Sequence, residues 1–302
     1  MLEVDIDESK LLEKQRAGLK FDLKNAKVYE SKNGFHFTDF LDPIDAILPN
    51  IDSSRFTEDV RQYIERKLQS NEGRFRKQSS VVGHYVTLRG ARCLDVGCGG
   101  GLFLSLLKAR GAKVWAIEPN DSRAHYAKTT YALEVHKLPV ENEYWQRGYK
   151  DTFDLITLWD VIEHVNFPIQ TLQAATRLLK KGGYLILDTP CKDSLYYRLG
   201  AFTYRVSKGR WPSFLNAIYR NEPFGHKQIF STSEMKAALE VCDLACVSLT
   251  RFHELSFPVD HYLTRMHFSK HIAKVLGAVF GWIVTFIRIK NKMLVVAQKV
   301  QT

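Results

Sequence analysis

The sequence has few cysteines, and none of them forms a C-x-x-C pair. Five cysteines occur in 302 residues without a C-x-x-C motif, namely Cys93, Cys98, Cys191, Cys242 and Cys246. An odd number without that spacing argues against both a disulfide framework and a zinc ribbon. We therefore expect a protein of a reducing compartment, the cytoplasm.

A signal peptide and a long apolar run are also lacking. The first residues, MLEVDIDESKLLEKQ, are acidic and contain no apolar stretch behind a positive flank, so export is not indicated. The most apolar segment, residues 271–290, has an uncharged stretch of only 13 residues, from Val275 to Ile287. This is short of the ~20 residues that span a bilayer. The sequence therefore predicts no transmembrane helix.

Segment 271–290 instead has the spacing of an amphipathic helix. Its apolar residues follow one another at three- and four-residue steps, while Lys274 and Arg288 fall on the less apolar side. Such a helix packs on the domain or on a second subunit of a homodimer. Alternatively, it makes peripheral contact with the inner face of a membrane. Both interpretations stay open.

Acidic residues are scarce in the C-terminal third. From Cys191 onwards there are 16 Lys and Arg against 7 Asp and Glu, and the whole chain has a formal net charge of +10. A solvated basic surface is one explanation. The other is an anionic partner, such as a phosphorylated or acidic substrate, an anionic membrane or nucleic acid.

Four blocks follow one another along the chain. Residues 1–89 form an irregular lead-in to about residue 55 and then two helical patterns, which we expect to act as a cover. Residues 90–190 alternate β-like and helical segments, which is typical of βαβ units around a parallel sheet, with the last helix stopped by Gly182 and Gly183. Residues 191–230 read as a lid. Residues 231–302 complete the sheet around the helix at 271–290.

The strongest motif is the glycine-rich stretch LDVGCGGG, which ends the first strand of the core and opens a helix. Asp95 supplies a carboxylate at the strand tip, and Gly97, Gly99 and Gly101 leave room for a cofactor to lie against the backbone. Glu118, at the end of the next strand, has paired oxygens that suit a ribose diol. Ligands bind at this edge of open α/β sheets. The alternative is a tight turn without a ligand.

A dinucleotide site is the rival interpretation of the same motif. An acidic residue some twenty positions after a glycine loop also fits a nicotinamide-dependent oxidoreductase. The G-x-G-x-x-G pattern, however, requires glycine at position 102 or 104, and both positions are leucine, Leu102 and Leu104. The pyrophosphate-binding pattern is therefore not present.

LDVGCGGG, AIEPN, LWDVIEHV and LLKKGGYLILDTP together resemble the successive motifs of class I S-adenosylmethionine-dependent methyltransferases, and within them the ubiquinone-biosynthesis O-methyltransferase-like group. The resemblance covers residues 90–190. It implies a Rossmann-like α/β fold, with a seven-stranded mostly parallel sheet, helices on both faces, an α-helical lid and an N-terminal helical cover. It also implies S-adenosylmethionine as cofactor. The implied cofactor-binding residues are Asp95, Gly97, Gly99, Gly101, Glu118, Pro119, Trp159 and Asp160.

Other functions stay open beside this one. The basic, aromatic lid would suit a nucleic-acid methyltransferase, but the Asn/Asp-Pro-Pro-aromatic motif usual in those enzymes is replaced by Trp159-Asp160-Val161-Ile162. A catalytically silent cofactor-binding scaffold is a further alternative. A divalent metal at Asp160, Glu163 and His164 is a third idea. Three adjacent ligands do not establish a coordination geometry, so no metal is predicted.

The acceptor and the catalytic base are expected in and beside the lid. We predict O-methylation of a small-molecule, sugar or lipid-linked acceptor, and an anionic acceptor would suit the arginines. A positioned base helps because hydroxyls are protonated at neutral pH. The resemblance favours His226, with His164 second, although either histidine could be structural. The predicted pocket residues are Tyr196, Tyr197, Phe202, Tyr204, Trp211, Tyr219, Arg198, Arg205, Arg210 and Arg220.

Overall fold

A computed structural model describes residues 16–42, 50–219, 221–254, 259–265, 269–287 and 290–300. In chain order the strands are β1 (Arg16–Asp22), β2 (Lys27–Ser31), β3 (His36–Thr38), β4 (Arg92–Val96), β5 (Lys113–Ile117), β6 (Val135–His136), β7 (Phe153–Trp159), β8 (Leu179–Pro190), β9 (Gln228–Ile229), β10 (Leu244–Phe252) and β11 (Lys292–Lys299). The helices are α1 (Glu58–Ser70), α2 (Glu72–Tyr85), α3 (Leu102–Ala109), α4 (Asp121–Tyr131), α5 (Glu143–Gly148), α6 (Pro168–Leu178), α7 (Leu195–Val206), α8 (Ser213–Ile218), α9 (Thr232–Glu240), α10 (Val259–Arg265) and α11 (Lys270–Ile287).

Seven strands form the main sheet, in the spatial order β10, β11, β8, β7, β4, β5, β6. The pairs from β8 to β6 are parallel, and β11 runs antiparallel between β8 and β10. Neighbouring residues such as Leu155 and Ile156 enter different hydrophobic clusters on the two faces. Because both faces are covered, the central strands are continuous apolar runs, as the sequence predicted.

A second sheet consists of β1, β2, β3 and β9. The expectation of an irregular lead-in up to residue 55 is therefore wrong for residues 16–38. Phe21 and Val28 of this sheet pack with Tyr197, Leu215 and Ile229 in a hydrophobic cluster of their own. The strands are short and polar, and their apolar partners come from the distant lid. A local period-two pattern consequently did not reveal them.

Helix α6 ends earlier than predicted. It stops at Leu178, and β8 begins at Leu179, so Gly182 and Gly183 lie inside the strand and not at the helix end. A Cβ atom on Gly183 would stand 3.0 Å from the carbonyl oxygens of Lys180 and Phe153. Gly183 therefore serves a close backbone approach within the sheet, and Gly182 has a left-handed φ of 72°.

Residues 271–287 of the C-terminal segment 271–290 are helical, as predicted, and belong to α11, whereas residues 288–289 lie outside the described residues. Ile272 and Val275 are exposed on its first turns, and Ala273 is buried. Among the described residues, no helix has both the length and the apolar character needed to cross a bilayer.

Candidate functional site

The glycine-rich loop after β4 is a tight turn with three left-handed glycines. The φ angles of Gly97, Gly99 and Gly101 are 79°, 56° and 84°. A Cβ atom on Gly97 would lie 2.5 Å from Val161, and one on Gly101 would lie 2.7 Å from Leu133. At Gly99 no atom stands within 4 Å of that position. Packing therefore requires two of the glycines, while Gly99 faces open space that a cofactor can approach.

Glu118 lies directly after β5 and closes this loop from the other side. Its two carboxylate oxygens accept the backbone N–H groups of Gly99 at 2.7 Å and Asn120 at 2.9 Å. Burial raises the pKa of Glu118, although Arg123 and the two N–H donors oppose the shift. Each oxygen keeps a further lone pair, so the carboxyl group can also bind a ribose diol. Pro119 follows, half-buried, at the start of the turn into α4.

Asp95 forms the buried floor of the site. One of its oxygens accepts the Thr157 hydroxyl at 2.6 Å, across the β4–β7 pair. Burial, together with the smaller effects of the charges of Glu118 and Asp188, raises the pKa of Asp95 to about 8 against the opposing Thr157 hydrogen bond.

Asp160 lies at the tip of β7 in a network of charged side chains. It pairs with Lys292 and with Arg74, whose Nη2 atom is 2.6 Å from its carboxylate. Burial alone would raise the pKa of Asp160, but Lys292 and Arg74 outweigh burial and hold the pKa below its ordinary value. Asp188 and Glu254 complete the network, at 3.1 Å from Arg74 in each case.

This network joins Asp160 to four other parts of the chain, and sequence reasoning found only Asp160. Arg74 comes from α2, Asp188 from β8, Lys292 from β11 and Glu254 from the segment after β10. No local motif marks these partners. They meet because β11 lies beside β8. Trp159, the neighbour of Asp160, is buried edge-on against Phe103, with ring centroids 5.4 Å apart.

The two predicted catalytic histidines lie together. The ring centroids of His164 and His226 are 4.8 Å apart. His164 Nδ1 lies 3.2 Å from the carbonyl oxygen of Gly225. Because a carbonyl only accepts, this nitrogen carries the proton and Nε2 keeps its lone pair. Burial lowers the pKa of His164, against the Gly225 hydrogen bond that opposes the shift, so the ring is neutral at neutral pH.

Glu163 completes a cluster with these histidines. Potential ligand atoms of Glu163, His164 and His226 all lie within 4.8 Å of one another. Glu163 is fully buried, and one of its oxygens accepts the Thr189 hydroxyl at 2.9 Å. Burial, together with the charge of Asp160, raises the pKa of Glu163 well above its ordinary value. The three possible metal ligands that the structure brings together are thus Glu163, His164 and His226. Asp160, which the sequence suggested in place of His226, is paired with Arg74 and Lys292.

A buried ion pair is hydrogen-bonded to the backbone of the histidine pair. Lys227 Nζ contacts the Asp42 carboxylate at 2.7 Å and donates to the His164 carbonyl oxygen at 2.9 Å. The backbone N–H of Lys227 donates to the Glu163 carbonyl at 2.7 Å. Asp42 also accepts the N–H of Phe224 at 3.1 Å. Residues before the core domain and at the end of the lid therefore share one hydrogen-bonded junction.

The aromatic residues expected to wall an acceptor pocket separate into two groups. Tyr197 and Tyr219 are buried against the second sheet, and Tyr204 packs edge-on against Phe21 with ring centroids 5.2 Å apart. Phe202 and Trp211 face outwards. The expectation that these side chains line the acceptor pocket is therefore wrong for Tyr197, Tyr204 and Tyr219, which cover β1–β3. Arg220 lies outside the described residues.

Comparison with known proteins identifies the family. The methyltransferase domain family matches residues 56–249, which is more than half of the chain, and the chain belongs to this family. Curated relatives include the ubiquinone biosynthesis O-methyltransferase of Marinobacter nauticus, 29% identical over 60% of this chain and 78% of that protein. The enzyme of that name from Alkalilimnicola ehrlichii is 37% identical over 38% of this chain. In the latter case the match spans about half of the relative's length, 49%.

Solved structures show the same fold. A geranyl diphosphate C-methyltransferase from Streptomyces coelicolor A3(2) superposes with a TM-score of 0.52 over 84% of this chain and 91% of its own, at 15% identity. An S-adenosylmethionine-dependent methyltransferase from Methanosarcina mazei gives 0.51 over 74% and 98%, at 17% identity.

The predicted fold and class of protein are thus confirmed. The chain belongs to the methyltransferase domain family and has the Rossmann-like sheet of its class I members, and the cofactor of that class is S-adenosylmethionine. The open side of Gly99 and the paired oxygens of Glu118 fit that cofactor. The individual binding roles of all eight predicted residues stay predictions, namely Asp95, Gly97, Gly99, Gly101, Glu118, Pro119, Trp159 and Asp160.

Proposed function

We propose that this protein transfers the methyl group of S-adenosylmethionine to a hydroxyl oxygen of a small-molecule, sugar or lipid-linked acceptor. The observation that carries the proposal is the pair of His164 and His226 beside the glycine loop. His164 is hydrogen-bonded through its backbone N–H to Val161, whose side chain contacts Gly97. The turn that carries His164 therefore packs, through Val161, on the loop that fits the cofactor. The names of the curated relatives support oxygen as the acceptor atom.

The cofactor, when bound, supplies a sulfonium methyl group that is already reactive. The protein aligns the acceptor hydroxyl and removes its proton. The neutral His164 ring has a lone pair on Nε2, as a general base requires, and its Nδ1 proton is fixed by Gly225. His226 is the first candidate for direct contact with the hydroxyl proton, with His164 orienting or replacing it.

Calorimetric titration with S-adenosylhomocysteine tests the cofactor, and absence of binding overturns the proposal. Transfer of a labelled methyl group to aqueous and lipid extracts of cells then identifies the acceptor. With it, His226→Ala is expected to keep cofactor affinity and to lose about 100-fold or more in turnover, as removal of a general base does. His84→Ala, an exposed histidine on α2, is the matched control. A loss below about tenfold in His226→Ala contradicts the role of His226.

A divalent cation at the same cluster is a second candidate. The approach of Glu163, His164 and His226 to within 4.8 Å supports it, because imidazole and carboxylate suit several divalent metals. Such a cation would bind the acceptor hydroxyl and favour loss of its proton. Unchanged activity after exhaustive chelation contradicts this alternative, and loss of activity that added metal restores supports it.

We further infer that acceptor class, membrane contact and oligomeric state are linked through the C-terminal part of the chain. A lipid-linked acceptor requires contact with the inner face of a membrane, and the amphipathic α11 is a candidate for that contact, whereas a homodimer would bury the same helix. A sugar or other small-molecule acceptor requires neither. Co-sedimentation with anionic vesicles at low salt and light scattering of the free protein separate these cases.

A further inference from the structure

Helix α7 in the lid has one face that packs on the protein and one that is left exposed. Tyr197 and Gly200 are buried against the second sheet and α8. Large apolar side chains recur on the exposed face at steps of four, three and four residues. Their exposed fractions are 57% for Leu195, 41% for Leu199, 60% for Phe202 and 66% for Val206, and Trp211 just beyond the helix is 71% exposed.

These five side chains form what we call the lid stripe. Single exposed apolar residues are ordinary on a protein surface, but a continuous row of them is not, and rows of this kind mark interaction sites. The spacing places the four helical members one above another on the same face of α7. The lid stripe is therefore a surface feature of the fold and not a scatter of isolated residues.

Charge of one sign surrounds the lid stripe. Between Ser194 and Asn221 the sequence has no aspartate or glutamate. Arg198, Arg205, Lys208 and Arg210 are exposed in or directly after α7. A partner for this face must accept apolar side chains in its centre and offer negative charge around them.

We propose that the lid stripe docks on the surface of an anionic lipid bilayer. An amphipathic helix with basic flanks lies flat in such an interface, with its apolar side chains among the acyl chains and its cations at anionic headgroups. Trp211 suits the level of the headgroups, where indole rings concentrate. A second copy of this chain fits less well, because a two-fold contact through the same face brings its arginines together. Nucleic acid offers phosphates but no apolar layer for leucine and valine.

The lid is held so that this face stays outward. Tyr197 Oη lies 2.6 Å from His36 Nδ1 and 2.7 Å from Tyr219 Oη, all buried. Rolling α7 to bury the stripe would break these bonds inside an apolar cluster and leave polar atoms unpaired, which is costly. The stripe is thus presented by a fixed helix.

The position of the stripe links docking to the methyltransferase site. α7 begins shortly after β8, whose end pairs with β11 next to Asp160, and the chain leaving α8 leads to His226. A docked lid brings this edge of the sheet to the bilayer, so an acceptor with a lipid tail reaches the histidines without leaving it. This route for the acceptor rests on the proposed function, whereas docking on the bilayer does not depend on methyl transfer.

The test uses the full chain and vesicles of phosphatidylcholine with about one third phosphatidylglycerol, at low salt. Sedimentation is expected to show binding to these vesicles and much weaker binding to pure phosphatidylcholine. The variant Leu199→Ser/Phe202→Ser/Val206→Ser is expected to lose about tenfold or more in partition to the vesicles, because it removes three apolar side chains that would enter the bilayer. Leu19→Ser/Val241→Ser, which changes two equally exposed apolar residues elsewhere, is expected to bind like the wild type.

Fluorescence gives a second measurement. Trp211 should shift its emission to shorter wavelength on adding anionic vesicles, and Trp211→Phe should remove that shift. The proposal is overturned if the wild type does not bind anionic vesicles, if the triple-serine variant binds equally well, or if the stripe mediates dimerisation or oligonucleotide binding in place of lipid binding. Binding to vesicles without affinity for S-adenosylhomocysteine would contradict the proposed function alone. Far-ultraviolet circular dichroism establishes that each variant is folded.

Discussion

At the scale of single residues, the glycines of the loop after β4 have two different roles. Gly97 and Gly101 leave no space for a Cβ atom because Val161 and Leu133 approach them. Gly99 has space, and only its φ of 56° disfavours a side chain. The methyl group of alanine at this position would therefore enter the region assigned to the cofactor without disturbing the protein's packing.

Gly99→Ala is expected to fold with a loss of about 1 kcal/mol, the cost of a left-handed alanine, and to lose about tenfold or more in affinity for S-adenosylhomocysteine. The control is Gly90→Ala. Gly90 also has a positive φ, 81°, and no atom within 4 Å of a Cβ, but it lies before β4 at the opposite edge of the sheet. Thermal unfolding and calorimetry give the two quantities. Equal affinity in both variants would remove Gly99 from the cofactor site.

His36 makes a residue-scale prediction about pH. Burial, assisted by the charges of Lys192 and Lys20, lowers the pKa of His36 from 6.5 to about 3. Between these values the unfolded chain binds a proton that the folded chain does not. Burial of neutral His36 therefore does not lower the free energy of unfolding well above pH 6.5, and this free energy falls as the pH drops from 6.5 towards 3. At pH 5 the loss is about 2 kcal/mol.

The variant His36→Gln has no titrating ring and should show a shallower fall of unfolding free energy between pH 7.5 and pH 5, measured by urea denaturation. It should be less stable than the wild type at pH 7.5, because the hydrogen bond to Tyr197 changes. His84→Gln, an exposed site, should keep the wild-type slope. An unchanged slope in His36→Gln would show that His36 titrates normally in the folded protein.

At the scale of elements, the junction of Asp42 with Lys227 ties the segment after β3 to the end of the lid. The ammonium group is fully buried and the carboxylate nearly so. Lys227→Met leaves Asp42 without its cation and is expected to cost about 3 kcal/mol in denaturant unfolding. Adding Asp42→Asn, which still accepts the Phe224 N–H, should recover most of that loss. A double variant as unstable as Lys227→Met alone would contradict the ion-pair explanation.

The elements also show how far sequence patterns reach. β4, β5 and β7 were predictable because burial on both faces makes them rich in apolar residues. Asp95, Gly99 and Glu118 were predictable because a local sequence motif marks them. β1–β3 were not, since their apolar partners lie in the distant lid. For the same reason Arg74 and Lys292 were missed, since only the tertiary fold brings Arg74 of α2 and, through the pairing of β11 with β8, Lys292 to Asp160.

At the scale of the whole molecule, the last strand holds the sheet together from within. β11 pairs with β8 on one side and β10 on the other, and Lys292 reaches from it into the charged network. The segment between β10 and β11 carries α10 and α11, and its two ends are hydrogen-bonded to each other where it leaves the sheet. There the Asn291 side chain accepts the N–H of Glu254 at 3.0 Å and donates to its carbonyl oxygen.

Because β10 and β11 are antiparallel neighbours with Phe252 opposite Lys292, a short hairpin turn can join them directly. Replacing residues 255–290 with a Gly-Asn turn is expected to leave a folded protein whose affinity for S-adenosylhomocysteine stays within about threefold of the wild type. Ending the chain at Asn291 is expected to abolish folding, because β8 and β10 lose their shared partner. Circular dichroism and calorimetry compare the two variants. If the variant with the turn also failed to fold, α10 and α11 would be part of the core and not an insertion on a finished sheet.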